Sequence, residues 1–75
     1  MKKLDQNKFN IKLGVVVRKL REAREISRST LAEISDVNEK YIGKIERGES
    51  SPSCFVLKKL SLGLKTELTE IIKSL

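Results

Sequence analysis

The sequence has no histidine and no tryptophan, a single cysteine and a single proline. Each absence excludes something. A lone thiol, Cys54, closes no intrachain disulfide, and without histidine it builds no zinc site. It fits a reducing compartment. No apolar run approaches the roughly 20 residues that a membrane span needs. The opening MKKLDQNKFN has the lysines of a signal peptide but no apolar stretch behind them. A soluble, cytoplasmic protein is therefore expected, with no metal and no cofactor. The chain also lacks a phosphate loop and an acyl-transfer motif, and no serine or carboxylate sits in a pattern that would activate it. An enzyme is not expected, and no small-molecule ligand is evident.

What is present is a short, basic, helix-forming chain. Seventy-five residues make one domain with a small core. Such a domain relies on good helix packing or on a second subunit. The net charge of +6 suggests a polyanionic partner, nucleic acid above all. Part of it is concentrated: Lys12, Arg18, Lys19, Arg21 and Arg24 lie within residues 11–24 against Glu22 alone.

The apolar periodicity is helical throughout, and the expectation is an all-α fold of five helices. Residues 1–10 read as a polar arm and residues 11–75 as a single domain. Asn10 is a cap for a first helix over 11–24, whose inward stripe is Leu13, Val16, Val17, Leu20 and Ala23. Ser27 caps a second helix over 28–35, with Leu31, Ala32 and Ile34 inward. Asp36 sits in the turn that follows. Asn38 caps a third helix over 39–47, with Ile42 and Ile45 inward and Gly48 as its stop. Ser51 or Ser53 caps a fourth helix reaching about Leu62 and burying Cys54, Leu57 and Leu60. Thr66 caps a fifth that runs to about Ser74, with Leu68, Ile71 and Ile72.

Two short amphipathic helices joined by three or four residues have the spacing of a helix-turn-helix, whose second helix enters the DNA major groove. The stretch ISRSTLAEISDVNEKYIGKIERGESSPS resembles the phage-repressor-type (XRE) helix-turn-helix. The matching positions are Ile26, Ser27, Leu31, Ala32, Val37, Ile42, Ile45, Glu46, Gly48, Pro52 and Ser53. The resemblance covers about residues 11–72. Three positions depart from the family pattern. Arg28 replaces the glutamine that opens the second helix, Asp36 the glycine of the turn, and Glu25 the glycine after the first helix.

The resemblance implies a sequence-specific double-stranded DNA-binding regulator, a repressor or autoregulator. It also implies a structural pair between Arg21 and Glu46, tying the first helix to the end of the recognition helix. Glu39, Lys40 and Lys44, on the exposed face of the third helix, are the expected base-contacting residues. Lysine donates to guanine, and glutamate accepts from cytosine. Arg28, Asn38, Tyr41, Arg47 and Ser51 are the expected backbone-contacting residues. Asn38 serves as cap, phosphate ligand or both. Gly43 costs about 1 kcal/mol relative to alanine in a helix. Its smallness admits a close approach either to DNA or to the second helix.

A near-palindromic operator read by a homodimer is the expected mode of action. With the chain ending at residue 75, the interface falls to the fourth and fifth helices, where Phe55, Leu62, Ile72 and Leu75 are spare apolar residues. Phage or plasmid repressors and restriction–modification controller proteins are similar small chains. The alternative is a protein-interaction module on the same fold, antitoxin-like or a docking subunit.

Overall fold

The computed structural model describes residues 3–75, so the first two residues of the polar arm lie outside the described residues. The described chain is five α-helices without strands: α1 (Gln6–Ala23), α2 (Arg28–Ser35), α3 (Glu39–Glu46), α4 (Cys54–Gly63) and α5 (Leu68–Lys73).

Helix α1 begins earlier than the cap assigned to Asn10. Asp5 is the cap, and its carboxylate accepts from the Lys8 amide at 3.2 Å. Phe9 explains the extension. It lies one turn before Leu13 and packs against the core, so the apolar stripe continues backwards past Asn10. Asn10 is buried inside the helix instead. Ser27, Asn38 and Ser53 cap α2, α3 and α4 through their side-chain oxygens. The choice between Ser51 and Ser53 thus falls to Ser53. Thr66 does not cap α5: its hydroxyl donates to the Leu64 carbonyl, and Glu67 occupies the cap position without a side-chain bond.

Four helices end in the same way. After α1, α2, α3 and α4 the chain places one residue in the left-handed region: Glu25, Asp36, Gly48 and Lys65. The following amides fold back onto carbonyls of the last turn, as in Ile26 to Arg21, Val37 to Ala32, Glu49 to Lys44 and Thr66 to Ser61. Only one of the four is glycine, the residue that adopts this conformation without a Cβ penalty.

The core is Leu13, Val17, Leu31, Ile42, Ile45, Leu57, Leu60, Leu64 and Ile71. Leu64 joins it from just beyond α4. Several residues assigned inward by periodicity lie outside. Ala23 and Cys54 are exposed, Ile34 is 55% exposed and Ile72 47% exposed. Each of these sits at a helix end or on a two-turn helix, where the core covers less than a full stripe.

Two glycines set the spacing between helices. A Cβ on Gly14 would fall on the Ile45 carbonyl oxygen and within 2.6 Å of the Glu46 carbonyl oxygen, so α1 meets the end of α3 backbone to backbone. A Cβ on Gly63 would fall on the Ser35 hydroxyl, which fixes how closely α4 approaches α2.

Candidate nucleic-acid interface

Helices α2 and α3 are joined by Asp36, Val37 and Asn38. The left-handed Asp36 (φ 54°) turns the chain, and the half-buried Val37 pins the turn to the core. Asn38 then starts α3. Its side-chain oxygen accepts from the Lys40 and Tyr41 amides at 2.9 and 3.3 Å. Of the roles expected for Asn38, capping is therefore occupied by that oxygen.

Helix α3 divides into two faces. Ile42, Gly43, Ile45 and Glu46 are buried. Glu39, Lys40 and Lys44 are exposed, and Tyr41 is half-buried against the core. Beside the exposed face is an open cleft of about 690 Å³ bounded by Arg28, Asn38, Glu39, Lys40, Gly43, Lys44 and Arg47. Four of those seven residues are cationic and one is anionic, so the cleft is a site of positive potential. Six of the eight base- and backbone-contacting candidates thus line one surface, while Tyr41 lies half-buried against the core, outside the cleft lining. Ser51 is exposed in the loop after α3, outside the cleft lining.

Gly43 forms the floor of this cleft. The atoms nearest to a Cβ built there are the Arg47 Nη1, at 3.0 Å, and the Arg28 Nη1, at 3.8 Å. The glycine therefore makes room for two guanidinium groups. One of them reaches over from α2, so the close approach to the second helix is made by a side chain.

Beneath the cleft lies the carboxylate of Glu46, whose side chain is 1% exposed. Arg21 donates to it from Nε at 2.7 Å and from Nη2 at 3.1 Å. The Arg21 Nη1 donates to the Ile26 carbonyl at 2.9 Å, so this guanidinium also fastens the turn between α1 and α2. Arg28 adds a third bond to Glu46, from Nε at 3.0 Å. Burial alone would raise the Glu46 pKa, but the hydrogen bonds and charges of the two arginines outweigh it and hold the carboxyl below its ordinary value. Hydrogen bonding to Glu46 correspondingly raises Arg21, against the opposing effect of burial.

Two of these contacts escape sequence reasoning. The sequence places Arg28 only at phosphate, yet its Nε is committed to Glu46. The available signal was the replacement of a glutamine by a longer cation close to a buried carboxylate. The second is Arg47, whose guanidinium pairs with Glu49 at 2.9 Å across the end of α3. That hydrogen bond lowers the Glu49 pKa. Both arginines keep Nη1 near the cleft floor.

Comparison with known proteins places this geometry. The helix-turn-helix family HTH_3 matches residues 17–71. The HTH-type transcriptional regulator SlrR of Bacillus subtilis (strain 168) is 42% identical over 60 residues, which are 79% of this chain and 40% of SlrR. The chain thus spans less than half the length of that relative. The crystal structure of the restriction-modification controller protein C.AhdI from Aeromonas hydrophila superposes with a TM-score of 0.83 at 34% identity, covering 85% of this chain and 97% of that one. An HTH_3 family transcriptional regulator from Vibrio cholerae superposes with a TM-score of 0.87 at 29% identity, covering 92% of this chain and 39% of that one.

Proposed function

This chain belongs to the HTH_3 helix-turn-helix family, and from that premise we propose that it is a DNA-binding transcriptional regulator that reads a near-palindromic operator as a homodimer. The observation that carries the reading is the division of α3. Its buried face is fixed by the core and by Glu46. Its free face presents Glu39, Lys40 and Lys44 beside a cationic cleft. The relatives named as transcriptional regulators and as a controller protein support the same role.

In this reading α3 lies in the major groove. Lys40 and Lys44 project one turn apart and donate to guanine O6 or N7, and Glu39 accepts from cytosine N4. Phosphates are held by Arg28 and Arg47 through their remaining N–H groups, by the Asn38 amide nitrogen, and by Tyr41 and Ser51. The protein acts as a regulator rather than as an enzyme, and it works in the cytoplasm, where its DNA is.

The dimer forms through α4 and α5. Leu62 is 65% exposed, Phe55 69% and Ile72 47%, and Leu75 is half-buried nearby in sequence. Pairing there covers apolar surface that a monomer leaves in water. Half-site centres then lie about one helical turn, some 10 bp, apart.

The decisive experiment selects bound sequences from random DNA and measures affinity for the recovered site across a salt series. Dyad-symmetric sites and a steep loss of affinity with salt are expected. Sedimentation with and without that DNA reads the dimer, which monomer alone under both conditions would remove. A folded protein that shows no salt-sensitive DNA binding transfers the function to protein interaction.

A further inference from the structure

Gly43 weakens α3 for no reason found in the packing of the fold. It lies inside the helix, where glycine is less stable than alanine. The other three glycines are accounted for. Gly48 turns the chain with a positive φ, and Gly14 and Gly63 sit where a neighbouring helix leaves no room for a Cβ. Neither condition holds at Gly43. Its φ is not positive, and the three atoms nearest to an added Cβ are all arginine tips. They are Nη1 and Cζ of Arg47, at 3.0 and 3.8 Å, and Nη1 of Arg28, at 3.8 Å. Flexible tips can swing aside for a methyl group, so the fold itself would accept alanine here.

The two tips arrive from different elements, and each is held from behind by a carboxylate. Glu46 accepts from the Arg28 Nε at 3.0 Å. Glu49 accepts from the Arg47 Nε at 2.9 Å and from its Nη2 at 3.5 Å. Among the described residues neither Nη1 has an acceptor. Each guanidinium is thus fixed at one edge and offers N–H groups at another. Both free Nη1 groups lie within 3.8 Å of one point beside Gly43. A phosphate whose oxygens each accept at about 2.8 Å spans such a pair. The cluster also keeps a positive charge, because the guanidinium groups of Arg21, Arg28 and Arg47 meet only the carboxylates of Glu46 and Glu49.

We propose that Arg28, Arg47 and the bare backbone of Gly43 form one site for a single backbone phosphate of the DNA, in place of two separate phosphate contacts. The inference rests on the DNA-binding reading above and specifies it. Gly43 keeps the space for the phosphate open, and the helix gives up stability for that space. Glu46 and Glu49 are positioning residues that aim the two arginines at it.

The test measures binding of the full 75-residue chain to its selected DNA site and to an unrelated duplex across a salt series, with thermal melts alongside. Gly43→Ala is expected to raise the melting temperature, yet to weaken binding to both duplexes about tenfold and to reduce the salt slope by about one unit. Arg28→Gln and Arg47→Gln are each expected to lose about one unit of slope, and the double variant no more, since one phosphate is given up in every case. In that double background Gly43→Ala is expected to cost no further affinity. A double variant that loses two units overturns the shared site and leaves the DNA-binding reading standing. Unchanged binding by Gly43→Ala overturns it as well. So does a loss that persists in the double background or leaves the slope unaltered, which would put the methyl group against the DNA itself. If Gly43→Ala lowers the melt, the two arginine variants and their double decide alone. Inorganic phosphate that shifts the Gly43 amide of the free chain, with every DNA affinity unchanged, would assign the site to free phosphate and equally overturn the proposal. A wild-type chain without salt-sensitive DNA binding removes the reading and the site together.

Discussion

The Glu46 carboxylate at the end of α3 and the Arg21 guanidinium near the end of α1 face each other through two hydrogen bonds, of 2.7 and 3.1 Å. The pair is almost withdrawn from water, at 12% and 1% side-chain exposure, and Arg28 closes it from a third helix. Truncating one member leaves a desolvated charge without its counterpart. Arg21→Ala and Glu46→Ala are each expected to destabilise the fold by about 3–5 kcal/mol in urea melts. The double variant is expected to lose less than the sum, because the two changes remove one shared interaction. Full additivity would mean that the residues act independently.

The same carboxylate makes stability sensitive to acid. Its folded pKa lies below the ordinary value of 4.5, so ionised Glu46 favours the folded state. That contribution is complete above the unfolded pKa and is lost as pH falls through the depressed folded one. Stability is therefore expected to drop from about pH 4.5 downwards. Glu46→Gln is expected to lower stability at pH 7 and to flatten this part of the acid profile. Parallel melts of both proteins between neutral and strongly acidic pH measure it, and an unchanged acid slope in the variant would contradict the assignment.

Lys44→Ala and Arg28→Ala are expected to fail differently. Lys44 is exposed and, among the described residues, makes no ion pair, so its loss is expected to leave the melt unchanged. On the preferred DNA site it costs about 1–3 kcal/mol and relaxes preference at one base position. Arg28→Ala weakens good and poor sites alike and reduces the salt slope by about one unit. Because Arg28 also holds Glu46, it lowers the melting temperature as well. Binding to single-base variants across salt, beside thermal melts, separates the two. An unchanged base profile in Lys44→Ala would remove that residue from base reading.

The left-handed helix ends offer stabilising changes. Glu25 and Lys65 adopt φ values of 56° and 53° and, among the described residues, make no side-chain ion pair. An L-residue in this region costs about 1–2 kcal/mol, partly offset in a glycine variant by the greater freedom of its unfolded chain. Glu25→Gly and Lys65→Gly are each expected to raise stability by about 0.5–1 kcal/mol. Asp36→Gly is expected to gain less, because aspartate tolerates the conformation better and Asp36 also meets Lys59 at 3.6 Å. Denaturant midpoints at constant slope measure these differences.

Gly14→Ala is the opposite case. Its methyl group would meet backbone carbonyls at the end of α3, which have no rotamer to change. A loss of about 1–3 kcal/mol is expected, with α1 and α3 forced apart. DNA affinity is expected to fall further than the melt alone accounts for, since the displacement is applied to the recognition helix itself. An unaltered melt would show that the two helices have slack at this contact.

Much of this was legible in the chain. Five helices, the family and the pairing of α2 with α3 follow from periodicity, from Ser27 and Asn38, and from IERG at its spacing. What was lost lay where local rules compete. Asn10 has the chemistry of a cap, but Phe9 carries the apolar stripe past it, and burial of a ring outweighs one capping bond. Thr66 is a cap by type, yet its hydroxyl is used two residues back, on the Leu64 carbonyl. Ile34 and Cys54 fit an inward stripe, but a domain this small has no second layer to cover them. The Arg28–Glu46 contact depends on how two helices cross, and no one-dimensional pattern encodes a crossing.

The division of α3 has a further consequence for how such a protein diversifies. Everything that holds the helix in place is on one side: Ile42, Ile45, Glu46 and the backbone contact at Gly14. Glu39, Lys40 and Lys44 bear none of that load. On the reading proposed above, exchanging these three side chains rewrites the message while leaving the instrument that reads it intact.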